Sequence, residues 1–167
     1  MIRRRAFITL LGGAAAWPLA ARAQQQTKPT IGWLTDALPP RDLIDAFCRG
    51  LAEIGFLEGR DVTVEYHTTD GQSERLSPLL ADLVLRRVAV IFASTTASSV
   101  AAKAATRTIP IPVVFEMGGD PVELGLVASL SRPGGNLTGV VSLGAEIAAK
   151  RLELLHKSVP ATESWES

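Results

Sequence analysis

The sequence is poor in the residues that build disulfide-bonded, metal-bound or nucleic-acid-binding domains. Its one cysteine, Cys48, excludes a disulfide framework and a thiolate zinc cluster within the chain. Its two histidines lie at unrelated positions and suggest no metal site. Aromatic residues make up 5%, and 17 basic residues balance 17 acidic ones. We therefore expect neither a base-stacking platform nor a surface that attracts polyanions, and no nucleic-acid partner.

The motifs of the common α/β enzymes are also missing. No serine lies in G-x-S-x-G, no candidate strand is followed by G-x-G-x-x-G, and no G-x-x-x-x-G-K-[ST] loop occurs. We accordingly expect no enzyme and no cofactor. An exported α/β hydrolase that uses Ser94 or Ser98 remains an alternative, although the sequence displays no base near either serine.

What the chain does contain is enough apolar sequence to fold. Its 167 residues are 47% hydrophobic and 20% charged, as in a globular domain of ordinary size. The first 23 residues differ from the rest, with Arg3 to Arg5, then an apolar stretch over 6–21, and small residues at Ala21 and Ala23. This pattern predicts a signal peptide cleaved between Ala23 and Gln24, because the apolar run is too short and interrupted for a membrane anchor.

The signal peptide predicts export to the periplasm. The basic residues do not distinguish the Sec route from the twin-arginine route. Removing the leader's four arginines leaves 13 basic against 17 acidic residues and a net charge of −4. Residues 24–160 would then form a single α/β lobe, and the polar residues 161–167 would form a divergent tail.

From residue 30 onward, compact apolar runs alternate with helical patterns. Strands are predicted over 30–34, 62–66, 88–93, 113–116 and 137–141, and the third run is apolar enough for the centre of a sheet. Helices are predicted over 43–54 with a stop at Gly55, from Ser73 or Ser77 to Val84, over 96–103, over 121–130, and over 146–157 with Leu152, Leu154 and Leu155 facing inward.

This alternation predicts an α/β fold, an open, doubly wound parallel sheet of five strands in the order 2-1-3-4-5, as in flavodoxin-like domains. In that order the chain winds in opposite directions from strands one and three, which opens a crevice at their carboxyl ends. The loops at 35–40 and 94–98 border the crevice.

Candidate binding residues follow the strands that border this crevice. Ser94, Thr95 and Thr96 begin a helix and could bind a carboxylate through hydroxyls and backbone amides, or could simply cap the helix. Asp36 could pair with a ligand ammonium group or lie solvated in its loop. Trp33 is expected in the core, and Cys48 is expected to be a small apolar residue of the first helix.

A family resemblance lies in three segments: the leader over 3–24 and two long runs, 118–130 (GGDPVELGLVASL) and 132–140 (RPGGNLTGV). These segments resemble the periplasmic ABC-transporter substrate-binding proteins of the tryptophan/tyrosine type. The resemblance extends to about Pro160. It implies a type I periplasmic binding fold of two lobes that captures a small solute, such as an amino acid, for a membrane permease. Its binding positions fall on Thr35, Asp36, Ser94, Thr95, Thr96, Gly118, Gly119 and Asp120.

The family's second lobe has no counterpart after residue 160, where the sequence turns polar. The resemblance therefore implies a single first lobe, which would leave half of the ligand contacts to water and expose an apolar interlobe face prone to self-association. A truncated fragment without function, or a lobe that needs a partner chain, is the alternative interpretation.

Overall fold

A computed structural model describes residues 28–142, 144 and 147–158. The predicted leader, with its cleavage position at Ala23 and Gln24, and the tail over 161–167 lie outside the described residues. Strands and helices alternate in the order β1 Thr30–Thr35, α1 Arg41–Glu53, β2 Thr63–Thr68, a short 3₁₀ turn Ser73–Arg75, α2 Leu76–Leu85, β3 Val90–Ala93, α3 Thr96–Ala105, β4 Val113–Gly118, β5 Leu137–Ser142 and α4 Ala148–Ser158.

The five strands form one sheet in the order β2-β1-β3-β4-β5, with every neighbouring pair parallel. This confirms the predicted fold class and strand order. The central position of β3 explains its uninterrupted apolar sequence, since residues there are covered on both faces.

The main core lies between the sheet and helices α2 and α3. Leu80 and Leu83 of α2 pack there with Ile91, Val113 and Phe115 of the strands, and all five are at most 2% exposed. The second predicted helix therefore forms, and these two leucines face the sheet.

The opposite face of the sheet carries an aromatic cluster beneath α1. Trp33 is buried, as predicted, and its ring centroid lies 4.8 Å from those of both Phe47 and Phe92. The end of α1 is also as predicted, because the Gly55 amide donates to the Ala52 carbonyl and closes the last turn.

The prediction of a helix over 121–130 is wrong. Asp120 and Pro121 do start a turn, in which the Leu124 amide donates to the Asp120 carbonyl at 3.2 Å, but the segment continues as turns and bends. Gly125 adopts a left-handed φ of 65°, which a helix interior does not contain. One turn is therefore enough to bring Leu126 into the core at 3% exposure.

The last helix forms near the predicted position, but its leucines do not face inward. Leu152, Leu154 and Leu155 are 68%, 53% and 60% exposed. Helical periodicity identifies a helix with an apolar side, but it cannot supply the surface against which that side packs.

Candidate ligand-binding site

Three loops that follow β1, β3 and β4 meet at the carboxyl edge of the sheet. The Ser94 amide donates to the Leu34 carbonyl at 3.0 Å, which joins the ends of β1 and β3. The Thr96 hydroxyl donates to the Gly118 carbonyl at 3.3 Å, which joins the start of α3 to the end of β4. The structure thus brings together the eight predicted residues, which we call the strand-end cluster: Thr35, Asp36, Ser94, Thr95, Thr96, Gly118, Gly119 and Asp120.

Thr95 caps α3. Its side-chain oxygen accepts from the Ser98 amide at 3.1 Å, and Ser98 returns a bond by accepting from the Thr95 amide at 3.0 Å. The Ser99 amide donates to the Thr95 carbonyl. The capping role weighed for this residue is therefore present, and the amides that open the helix toward solvent are those of Thr96 and Ala97, both exposed residues.

Ser94 connects the cluster to the aromatic cluster beneath α1. The Trp33 indole Nε1 donates to Ser94 Oγ at 2.9 Å, and Ser94 Oγ lies 3.4 Å from the Leu34 carbonyl, to which it can donate. Because Trp33 is only 1% exposed, its bond fixes the Ser94 side chain from below. The Ser94 hydroxyl thus positions the loop, whereas the Thr96 hydroxyl lies at the surface.

Asp36 is exposed at the end of β1 and is held by a residue that sequence reasoning missed. The Thr69 hydroxyl donates to Asp36 Oδ1 at 3.2 Å, and Thr69 is 1% exposed. Thr69 directly follows β2, so its position after a parallel strand was the available signal. Within residues 28–142, 144 and 147–158, the Thr69 bond to Oδ1 is the hydrogen bond that the Asp36 carboxylate accepts.

Asp120 uses its carboxylate to order the loop after β4. Its Oδ1 accepts from the Val122 amide at 2.7 Å, with the Glu123 amide at 3.4 Å. Gly119, just before it, has a φ of 88°. Asp120 therefore shapes this side of the crevice and also adds negative charge to it.

An ion pair lies in the segment that follows β2. Asp70 accepts from the Thr68 hydroxyl at 2.8 Å and forms a salt bridge with Arg75. These two contacts lower the pKa of Asp70, the Thr68 bond being the larger cause. Arg75 is therefore engaged by its own neighbours.

The arrangement suits a small zwitterion better than a metal ion. The start of α3 offers amide donors and the positive end of a helix dipole, while Asp36 offers negative charge on the adjoining strand end. Among residues 28–142, 144 and 147–158, no three His, Cys, Asp or Glu residues are grouped so as to hold a metal. None of the described helices has the length and apolar character needed to cross a membrane.

A family model described as ABC transporter substrate binding protein matches residues 39–165. The chain belongs to this family. The match includes most of the strand-end cluster and the two runs, 118–130 and 132–140, that resemble the family in sequence.

Relatives of this chain include two proteins that are described with a ligand. A tyrosine-binding protein of Clostridioides difficile is 32% identical over 93 residues, covering 56% of this chain and 26% of that protein. A solved domain from Streptococcus pneumonia in complex with L-Trp is 28% identical, with a TM-score of 0.60 over 69% of this chain and 39% of that one. These likenesses support the type I periplasmic binding fold of the tryptophan/tyrosine type.

Two further solved structures share the fold. A ligand-free, open substrate binding protein with adhesive properties from Clostridium difficile is 25% identical, with a TM-score of 0.61 over 74% of this chain and 43% of that one. A conserved domain protein from Vibrio cholerae is 26% identical, with a TM-score of 0.65 over 80% and 45%. The chain thus spans less than half the length of each of these relatives.

Proposed function

We propose that this chain is the N-terminal lobe of the solute-binding component of an ABC importer and that it captures a small carboxylate-bearing solute. The observation that supports this most is the exposed start of α3 with its Thr96 and Ala97 amides, which follows β3 directly. Asp36 follows β1, the parallel neighbour of β3, at the same carboxyl edge of the sheet. An anion that docks on these amides gains oriented donors and a favourable dipole.

The solute class that fits is an α-amino acid. Its carboxylate would dock at the Thr96 and Ala97 amides, and its ammonium group would pair with Asp36. The tyrosine-binding relative and the solved complex with L-Trp support this class. The binding role needs no chemical step, in keeping with a family of substrate binding proteins.

We place the protein in the periplasm, with residues 1–23 as a signal peptide cleaved between Ala23 and Gln24 and a membrane permease as its partner. Sequencing the N-terminus of the exported product tests the cleavage position. A product that begins with Gln24 supports it, and an intact Met1 contradicts it.

Residues 24–160 form the binding lobe in this proposal, and residues 161–167 form a divergent tail. One lobe binds a solute from one side, so binding is weak and a second lobe or a partner chain would strengthen it. Exposed apolar side chains lie in the segments that follow β1 and β4, among them Leu38 at 65% and Leu124 at 47% exposure. They could support self-association through this end of the sheet.

The experiment is a calorimetric titration of the purified chain with L-Trp, L-Tyr and a panel of amino acids and organic acids. Asp36→Asn keeps an oxygen for the Thr69 bond but removes the charge, and Thr96→Val removes an exposed hydroxyl. Asp82→Asn, on α2 and away from the crevice, is the matched control for charge.

We expect Asp36→Asn to weaken amino-acid binding by about tenfold or more, as loss of a charge-assisted bond does. The control should leave affinity unchanged. Equal affinity of Asp36→Asn and wild type would contradict the assigned ammonium position, and absence of heat across the panel at millimolar ligand would contradict the binding role of this lobe.

A further inference from the structure

The buried indole of Trp33 donates a hydrogen bond into the strand-end cluster. Its Nε1 lies 2.9 Å from Ser94 Oγ, and Trp33 is 1% exposed. An indole carries one N–H donor and no acceptor, and a buried N–H without a partner would destabilise the fold. Ser94 follows β3 and is half-buried. The bond therefore joins a core side chain to a residue of the candidate binding site.

Three aromatic rings hold the indole in this orientation. The centroid of the Trp33 ring lies 4.8 Å from those of Phe47 and Phe92 and 5.4 Å from that of Tyr66. These rings come from α1, β3 and β2, so three elements pack around one side chain. Because a close-packed ring cannot reorient without disturbing its neighbours, the core fixes the direction in which the N–H points.

The bond also decides what the Ser94 hydroxyl can offer. A serine hydroxyl has one proton and two lone pairs, and Trp33 occupies a lone pair. Within the described residues, the acceptor for the proton is the Leu34 carbonyl at 3.4 Å, which already accepts from the Ser94 amide at 3.0 Å. A distance of 3.4 Å is long for an O–H···O bond. The proton is therefore weakly engaged and available to a stronger acceptor.

We propose that Trp33 is a positioning residue of the solute site, where it keeps Ser94 Oγ as a hydrogen-bond donor to the solute carboxylate. The inference rests on the proposed function, because it concerns the carboxylate that docks at the Thr96 and Ala97 amides. Ser94 directly precedes the Thr95 cap of α3, so its hydroxyl adds a third donor next to these amides. A site that presents only donors selects a carboxylate over a group that brings a donor of its own.

The test is a calorimetric titration of the full, processed chain with L-Trp and with L-tryptophanamide, which carries an NH₂ donor in place of one carboxylate oxygen. Ser94→Ala should lower the ratio of the L-Trp affinity to the L-tryptophanamide affinity about tenfold, as loss of a charge-assisted hydrogen bond does. Trp33→Phe keeps an aromatic ring but removes the N–H, and it should lower the ratio by at least about threefold. The double variant should lower it no further than Ser94→Ala alone.

Phe47→Leu is the matched control, because it removes a ring contact of Trp33 and leaves both partners of the bond in place. It should lower the free energy of unfolding and leave the affinity ratio unchanged, and circular dichroism checks the fold of every variant. A ratio that Trp33→Phe leaves unchanged, or that Phe47→Leu lowers as much, overturns the inference. Effects of Trp33→Phe and Ser94→Ala that sum in the double variant overturn it as well.

A measurement without solute separates this inference from the proposed function. Hydrogen bonding moves an indole N–H resonance downfield, so Ser94→Ala should move the Trp33 Nε1–H resonance upfield. Trp33→Phe assigns that resonance, since Trp165 is the other tryptophan of the processed chain. A resonance that Ser94→Ala leaves in place overturns the inference even if the wild-type chain binds both compounds. A wild-type chain that binds neither compound contradicts the proposed function, and with it the role of the bond in binding, but not the bond.

Discussion

Gly32 of β1 packs against Leu83 of α2, and substitutions at these two positions can test that contact. A Cβ on Gly32 would lie 2.7 Å from Cδ2 and 2.9 Å from Cδ1 of Leu83, whose side chain is fully buried. We expect Gly32→Ala to destabilise the fold by about 1–3 kcal/mol through overpacking. Leu83→Ala should cost about 2–5 kcal/mol, because it removes a buried side chain and leaves a cavity.

The two changes together should cost less than their sum. Leu83→Ala removes the atoms that the new methyl group of Gly32→Ala would meet, and that methyl group fills part of the cavity. We expect a favourable coupling of about 1–2 kcal/mol, within the range measured for residues in contact. Urea unfolding of the four proteins, followed by far-ultraviolet circular dichroism, measures it.

The control pair is Gly32→Ala with Leu80→Ala. Leu80 is equally buried in the same helix, but the three atoms nearest to a Cβ on Gly32 all belong to Leu83. Additive free energies of unfolding in the Gly32 and Leu83 cycle, or coupling of the same size in the control cycle, would refute the assigned packing of α2 on β1.

Three other predictions concern single groups. Thr95→Ala should lower the free energy of unfolding by about 1 kcal/mol, because the Ser98 amide loses its cap. Thr95→Ser should retain most of the wild-type stability, since serine also caps a helix. Equal stability of wild type and Thr95→Ala in urea would contradict the capping role. The hydrogen bond from Arg86 lowers the pKa of Glu65 from 4.5. Wild type should therefore be more stable to unfolding than Glu65→Gln at neutral pH, and this difference should disappear as the pH falls through the folded-state pKa of Glu65. A difference in stability that does not depend on pH would contradict the ion pair. Burial, and to a smaller extent the hydrogen bond to Glu58, raises the pKa of Cys48 to about 11. Alkylation of Cys48 by iodoacetamide should therefore be slow at neutral pH and become faster until the pH approaches that value. Fast alkylation at neutral pH would contradict this environment.

The order of strands followed from patterns that are local in sequence. The apolar run that contains β3 and the alternation around Val64 distinguish a central from an edge strand, and short helical connections leave few ways to arrange parallel strands. The carboxyl ends of the strands must then share an edge. The position of the strand-end cluster was accessible for that reason.

Other features depended on contacts between distant parts of the chain. The apolar spacing over 121–130 predicted a helix. The segment instead forms turns, with Gly125 in a left-handed conformation and Leu126 buried against the core. The bond from Thr69 to Asp36 joins residues 33 positions apart, and the bond from Trp33 to Ser94 joins residues 61 apart. No periodicity in the sequence encodes such pairs.

The most direct test of the binding role is an amide-resolved NMR titration of the chain with L-Trp. If the carboxylate docks at the start of α3, the Thr96 and Ala97 amides shift with ligand concentration, and the shift weakens in Asp36→Asn. The account would be contradicted if the Thr96 and Ala97 amides stay unchanged while amides of α2 or of the later turns of α3 shift.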